Sequence, residues 1–351
     1  MTKATPSVVA LDSPTRSNTR LMPPITIPPF RSHWTLAGGH RQTLAGVFFP
    51  GRLPDECAVV RHIPLPDGDT LVVHDDCPPN WPSSGPVAVM LHGLAGCHRS
   101  SYLVRTAAMF NAIGVRTFRM DLRGCGAGFG LALKPYNAGC SDDVLEVVRA
   151  VAAWCPGSPI SLFGFSLGGN IVLKLLGETP DRVPAELVRA AAINPPIDLA
   201  RCTYGLARWP QRHYDAYFVK ELLQRLRDLQ QHRSDFVPPT FNRSPRRLVE
   251  FDDQFTAPRS GFRDADDYYQ RCSSEQFLPA IRVPTLILTA RNDPLIPVES
   301  FERLSIPPNV HLHIAEGGGH LGYLAATNGS RDWLQTQLLE WLRLACDQTA
   351  R

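Results

Sequence analysis

One serine stands out for its neighbours. Ser166 sits in Phe163-Gly164-Phe165-Ser166-Leu167-Gly168-Gly169-Asn170, a G-x-S-x-G pattern. It follows the apolar run Ile160–Phe165 and opens the helix-like stretch Leu167–Leu176. A strand, a sharp turn and a helix are the setting in which such a serine becomes a nucleophile. The turn forces glycines where a Cβ would clash, and the start of the helix favours negative charge near the hydroxyl. A serine also needs a base, and the base needs an acid to orient it. In this arrangement the order along the chain is Ser, then Asp or Glu, then His. Asp293 lies in Ala290-Arg291-Asn292-Asp293-Pro294, at the end of the strand-like Thr285–Thr289. His320 lies in Glu316-Gly317-Gly318-Gly319-His320, at the end of His311–Ala315. Asp198 is the competing acid, but Asp293 follows its strand more closely and directly precedes the His-bearing segment. Asp121 and Asp142 precede Ser166 and do not fit the order.

The remaining chemistry concerns an oxyanion. Two backbone N–H groups are expected to meet it. One belongs to Leu167, after the nucleophile, and the other to Leu94 in His92-Gly93-Leu94-Ala95-Gly96, which follows the strand-like Val87–Leu91. Such donors are worth roughly 3–4 kcal/mol each in a tetrahedral transition state. His92 is expected to pack the loop, and His40, His62, His74, His213 and His311 to be surface or packing residues. No two histidines share H-x-x-x-H spacing or stand with Cys or Asp at ligand spacing, so no metal is expected. The glycine run Arg123–Gly130 fits neither G-x-G-x-x-G nor a P-loop, so no cofactor is expected; it reads as a flexible loop beside the crevice.

These residues require a scaffold. Strand-like runs at Val87–Leu91, Val115–Met120, Ile160–Phe165, Leu187–Ile193, Thr285–Thr289 and His311–Ala315 alternate with helix-like Ser101–Ile113, Ser141–Trp154, Leu167–Leu176 and Trp333–Ala345. Ala58–Asp75 reads as two antiparallel strands around Pro66-Asp67-Gly68. The alternation predicts an α/β fold, a mostly parallel sheet flanked by helices. Active groups then gather outside the carboxyl ends of the strands. Between about 196 and 280 the strands stop. This stretch is expected to be a mainly helical cap inserted into the sheet domain, which spans 31–351, after a Pro-rich, flexible or extended arm over 1–30. Phe218, Leu222, Leu226 and Leu229 form one apolar stripe there. Residues 201–247 hold ten Lys/Arg against four acidic residues, a balance of +6, expected to be a solvated helix face, with peripheral contact to anionic lipid as the sharper alternative.

Composition sets limits on function. With 36 basic and 33 acidic residues the net charge is only +3, which gives no nucleic-acid footprint. Nine cysteines without C-x-x-C spacing read as thiols in a reducing compartment. Neither a secretory signal nor an apolar run long enough to span a membrane is found, so a cytoplasmic location is expected.

Further motifs extend the pattern. Gly39-His40-Arg41-Gln42-Thr43-Leu44, His92–Gly96 with Ser100 and Tyr102, Arg123-Gly124-Cys125 with Tyr136 and Gly139, Phe255-Thr256-Ala257-Pro258, Gly261-Phe262 and Asp267-Tyr268-Tyr269 occur in sequence. With Ser166, Asp293 and His320 they resemble the α/β-hydrolases of the AB hydrolase 4 family, the YheT-like group, over roughly residues 34 to 345. The resemblance implies a Ser166–Asp293–His320 charge-relay system, no cofactor, and carboxylic esters, small or lipid, as substrates. Members include short-chain carboxylesterases, acylglycerol lipases, phospholipases and alcohol acyltransferases. Asn137 departs from the pattern, since relatives often carry His there. Three rival functions share these residues: an alcohol O-acyltransferase, a hydrolase of amides or thioesters, and a non-catalytic binding protein on the same scaffold.

Overall fold

The computed structural model describes residues 25–51, 53–54, 57–326 and 332–349. Most of the arm expected over 1–30 therefore lies outside the described residues. Its end, from residue 25, has no regular secondary structure, yet Ile27 and Phe30 are buried. Phe30 packs edge-on against Tyr323 and Trp333, with centroids 5.7 and 5.2 Å away.

Eight strands form one sheet: β1 (Val59–Pro64), β2 (Thr70–Asp76), β3 (Val87–Leu91), β4 (Arg116–Asp121), β5 (Ile160–Phe165), β6 (Leu187–Ile193), β7 (Thr285–Ala290) and β8 (Val310–Ala315). Their spatial order is β1-β2-β4-β3-β5-β6-β7-β8. The hairpin of β1 and β2 is antiparallel, β2 meets β4 antiparallel, and every later pairing is parallel. The strands β3, β5 and β7 are buried at every residue, as unbroken apolar runs must be when helices cover both faces. The strand boundaries read from the sequence hold to within a residue or two.

Helix α1 (Gly39–Phe48) packs on the loops after β7 and β8, while α2 (Ser101–Asn111), α3 (Ser141–Trp154) and α4 (Leu167–Glu178) flank the sheet with the C-terminal helix Trp333–Thr349. The two faces form two apolar cores. One gathers Val89, Leu162 and Ile171 with the α3 side chains, and the other gathers Phe110, Phe163, Leu288 and Trp341. Trp341 docks the last helix by donating Nε1–H to the Ala190 carbonyl at 2.9 Å, with the Arg189 guanidinium over its ring.

Between β6 and β7 the chain is helical, beginning with α5 (Leu199–Leu206) and α6 (Arg212–His232). Asn170 fastens this excursion to α4. Its amide donates to the Cys272 and Ala138 carbonyls, and its oxygen accepts from the Ser274 N–H. Among the described residues no helix is long and apolar enough to cross a membrane. The eight cysteines from Cys57 to Cys272 are free thiols.

Candidate active site

The strands β3, β5, β6, β7 and β8 are consecutive neighbours in the sheet, and their carboxyl ends carry the loops of interest. Ser166 follows β5 and is the residue that turns the chain into α4. Its φ is 51° and ψ is −121°, a left-handed conformation that costs a non-glycine residue about 1–3 kcal/mol. Packing holds it there: a Cβ on Gly164 would sit 2.3 Å from the Gly168 carbonyl oxygen, and one on Gly168 would sit 2.6 Å from that of His92. Only glycine permits so tight a turn.

Ser166, His320 and Asp293 form a hydrogen-bonded chain. The Ser166 Oγ lies 2.8 Å from His320 Nε2, and His320 Nδ1 lies 2.8 Å from Asp293 Oδ2. A carboxylate only accepts, so Nδ1 carries the proton and Nε2 presents its lone pair to the serine hydroxyl. The Asp293 side chain is fully buried. It is held by the Asn194 amide at 2.6 Å and by the N–H groups of Leu295 and Ile296 at 2.8 and 3.1 Å. Asp198, the competing acid, instead caps α5 by accepting from the Arg201 N–H.

The loop after β3 is fixed at nearly every residue. Gly93 N–H donates to the Tyr102 hydroxyl and Ala95 N–H to the Tyr136 hydroxyl, each at 3.0 Å. His92 accepts from the Leu122 N–H at Nε2 and so donates from Nδ1 to the Gly93 carbonyl at 2.7 Å. Complete burial pushes its pKa down to about 4, so it is a neutral strut, as the sequence suggested. Leu94 and Leu167 N–H groups donate to no protein acceptor among the described residues.

Four features escaped sequence reading. Asn194, after β6, also donates to the Gly319 carbonyl and accepts from the Tyr323 hydroxyl. Thr43 accepts from the His320 N–H at 2.9 Å, which gives a physical role to the Gly39–Leu44 motif. Gly39 is obligatory there, since a Cβ would lie 1.6 Å from the Asn292 carbonyl oxygen. His40 is exposed and packed on Tyr214 of α6, as expected of a surface or packing residue, but its place on the cleft wall, 3.0 Å from the Tyr214 hydroxyl, has no sequence signal. Finally, His74 and His98 stack with centroids 3.5 Å apart and both reach Asp121. Their ligating atoms lie within 4.8 Å of one another, a juxtaposition of three distant segments that linear spacing could not reveal.

The glycine run Arg123–Gly130 is also more tightly held than a loose loop. Arg123 pairs with Asp67, Asp69 and Asp143, and a Cβ on Gly126 would meet the Asp121 carboxylate.

Ser166 and His320 open on a cleft of about 800 Å³ whose walls include Leu94, Tyr102, Tyr214 and Phe218. A second, smaller cavity of about 110 Å³ lies behind Leu94 and Leu167, lined by Leu222, Phe251, Phe255 and Tyr268. Asn137 borders that smaller cavity and holds Ser260 with its amide.

Residues 86–327 match the model of the alpha/beta hydrolase fold family. The chain belongs to that family. YheT of Escherichia coli (strain K12) is 31% identical over 293 residues, covering 80% of this chain and 84% of YheT. A monoacylglycerol lipase of Saccharomyces cerevisiae (strain ATCC 204508 / S288c) is 28% identical over 289 residues, covering 78% of this chain. The present chain spans only 62% of that lipase's length. These relatives agree with the YheT-like group suggested by the motifs. Among solved structures, Est1E from Butyrivibrio proteoclasticus superposes with a TM-score of 0.52 at 17% identity, over 83% of this chain and 99% of that one. That likeness speaks to the fold.

Proposed function

We propose that this chain is a serine hydrolase that cleaves carboxylic esters, of the short-chain carboxylesterase or acylglycerol lipase type, through an acyl-enzyme on Ser166. The observation that carries the reading is the chain of hydrogen bonds from the Ser166 hydroxyl through His320 to buried Asp293, at the wall of an apolar cleft. Family membership and the lipase among the relatives point the same way.

In this mechanism the Ser166 Oγ attacks the ester carbonyl while His320 Nε2 takes its proton. Asp293 stabilises the imidazolium and keeps the ring oriented. The carbonyl oxygen, now an anion, accepts from the Leu94 and Leu167 N–H groups. His320 then protonates the departing alcohol oxygen, the tetrahedral intermediate collapses, and the acyl group stays on Ser166. Water repeats the sequence: its oxygen bonds to the acyl carbon as His320 takes its proton, His320 returns that proton to Ser166 Oγ as the acyl–oxygen bond breaks, and the carboxylic acid leaves. The helical excursion over about 196–280 acts as a cap, since α6 supplies Tyr214 and Phe218 to the cleft.

The test is hydrolysis of a chain-length series of 4-nitrophenyl esters, with mass spectrometry of the quenched enzyme. Turnover together with an acyl adduct on the Ser166 peptide is the expected result. Folded protein that neither turns over nor acylates on any ester of the series sinks the reading.

A further inference from the structure

The mouth of the cleft has an apolar rim left uncovered by the other described residues. On one side, α1 exposes Leu44, Val47 and Phe48, and Phe49 follows directly; Phe48 and Phe49 are 70% and 65% exposed. On the other side stand Trp209, 69% exposed, and Tyr217. Leu44, Val47 and Phe48 line the same cleft as Pro210 and Tyr217, so the two sets flank one opening, the one that leads to Ser166. Single exposed apolar residues are ordinary on any protein; a group this size around one opening signals contact with something apolar.

The charge around the rim says what that something is. Residues 31–50 and 199–214, which carry all of the rim except Tyr217, contain no Asp or Glu, and the acid close to Tyr217 is the half-buried Glu221. Arg41, Arg208 and Arg212 are exposed within them. The Arg212 guanidinium lies 4.8 Å from the centre of the Trp209 ring, so cation and aromatic ring share one edge. Asp215, the first acidic residue after the second segment, is buried and accepts from the Leu248 N–H. Aromatic rings beside arginines, with no acid near Phe48, Phe49 or Trp209 in the chain, suit the boundary where acyl chains meet phosphate headgroups.

We propose that this rim docks the protein on an anionic lipid surface, with Phe48, Phe49 and Trp209 at the acyl boundary and Arg208 and Arg212 among the headgroups. The cleft then opens toward the lipid. Docking is independent of hydrolysis, although it gives a lipid ester a direct route to Ser166.

The test is flotation of the full-length chain with vesicles of phosphatidylcholine alone or an equimolar mixture with phosphatidylglycerol. Wild type is expected to float with the anionic vesicles and to release as salt rises. Ser166→Ala should float equally well, which separates docking from the hydrolytic reading. Arg208→Glu/Arg212→Glu should lose at least about thirtyfold in partitioning, since each basic residue near an anionic surface is worth about 1 kcal/mol. Phe49→Ser/Trp209→Ser should lose at least about tenfold, from apolar area left in water. Both double variants should hydrolyse a water-soluble ester at the wild-type rate. The proposal is overturned if wild type stays unbound, floats equally with both vesicles, or is matched by either double variant. It is also overturned if the rim instead seals a dimer that Phe49→Ser/Trp209→Ser turns into monomers.

Discussion

Among the described residues, the buried carboxylates of Asp293 and Asp121 each hold histidine, in different surroundings. Asp293 accepts from His320, Asn194 and the amides of Leu295 and Ile296. Asp121 accepts from His74, from His98 twice, by ring and by amide, and from the Ala127 N–H. Both sit at the end of a strand, and both are fully satisfied. The difference lies beyond the imidazole. His320 turns its second nitrogen to a serine hydroxyl held in a strained turn on an open cleft, whereas His74 and His98 stack on each other inside the protein. Donors to Asp121 hold its carboxyl far below the usual range, with the His74 and His98 hydrogen bonds the largest of them overcoming the opposing cost of burial. A His–Asp pair alone is a structural tie; the hydrolysis proposed here needs a nucleophile and access besides.

Removing each histidine in turn separates the two assemblies most sharply. His320→Ala is expected to lower kcat by at least about 10⁴-fold while leaving the thermal transition within a few degrees of wild type. Asn194→Ala removes one donor from the Asp293 carboxylate and should lower kcat by about 10–100-fold with KM nearly unchanged, in line with about 1.5–3 kcal/mol for a hydrogen bond to a charged group. An unchanged kcat in that variant removes Asn194 from the positioning of Asp293. His98→Ala should do the reverse: stability falls by about 1–2 kcal/mol in a urea titration, and kcat stays within about tenfold. If His98→Ala silences a folded enzyme, the two assemblies are not distinct in the way argued.

The smallest effect concerns pH. Burial holds His92 near a pKa of about 4 against an ordinary 6.5, so the unfolded chain takes up a proton the folded one refuses. Stability from this residue is full above pH 6.5 and is lost as pH falls toward 4. Buried Asp252, which accepts from the Tyr269 hydroxyl, is pushed up to about 6 from 3.8, mainly by desolvation. It binds a proton the unfolded chain has released, so its contribution rises as pH falls through the same window. The two oppose each other. Asp252→Asn should therefore melt with a steeper loss of Tm between pH 6.5 and 4.5 than wild type does; parallel curves contradict that assignment.

Much of this was legible in the sequence, because local rules fix it. The unbroken apolar runs of β3, β5 and β7 mark buried parallel strands, and the glycines around Ser166 mark a turn no other residue fits. Asp293 and His320 follow from chain order and from their place at strand ends. What stayed hidden depends on contacts between distant segments. His74, His98 and Asp121 come from β2, the loop after β3 and the end of β4. Nothing in their spacing brings them together. Asn194 has no motif of its own and is found only because β6 and β7 are neighbours. His40 gained its place from Tyr214, which lies 174 residues further along the chain.

The most direct test of the central claim is labelling with a fluorophosphonate probe of wild type, Ser166→Ala, His320→Ala and His98→Ala, each first shown to be folded. Labelling of wild type and His98→Ala, with none on Ser166→Ala and only a slow trace on His320→Ala, is the predicted result. A wild type that stays unlabelled, or a Ser166→Ala variant that labels as well as wild type, contradicts it.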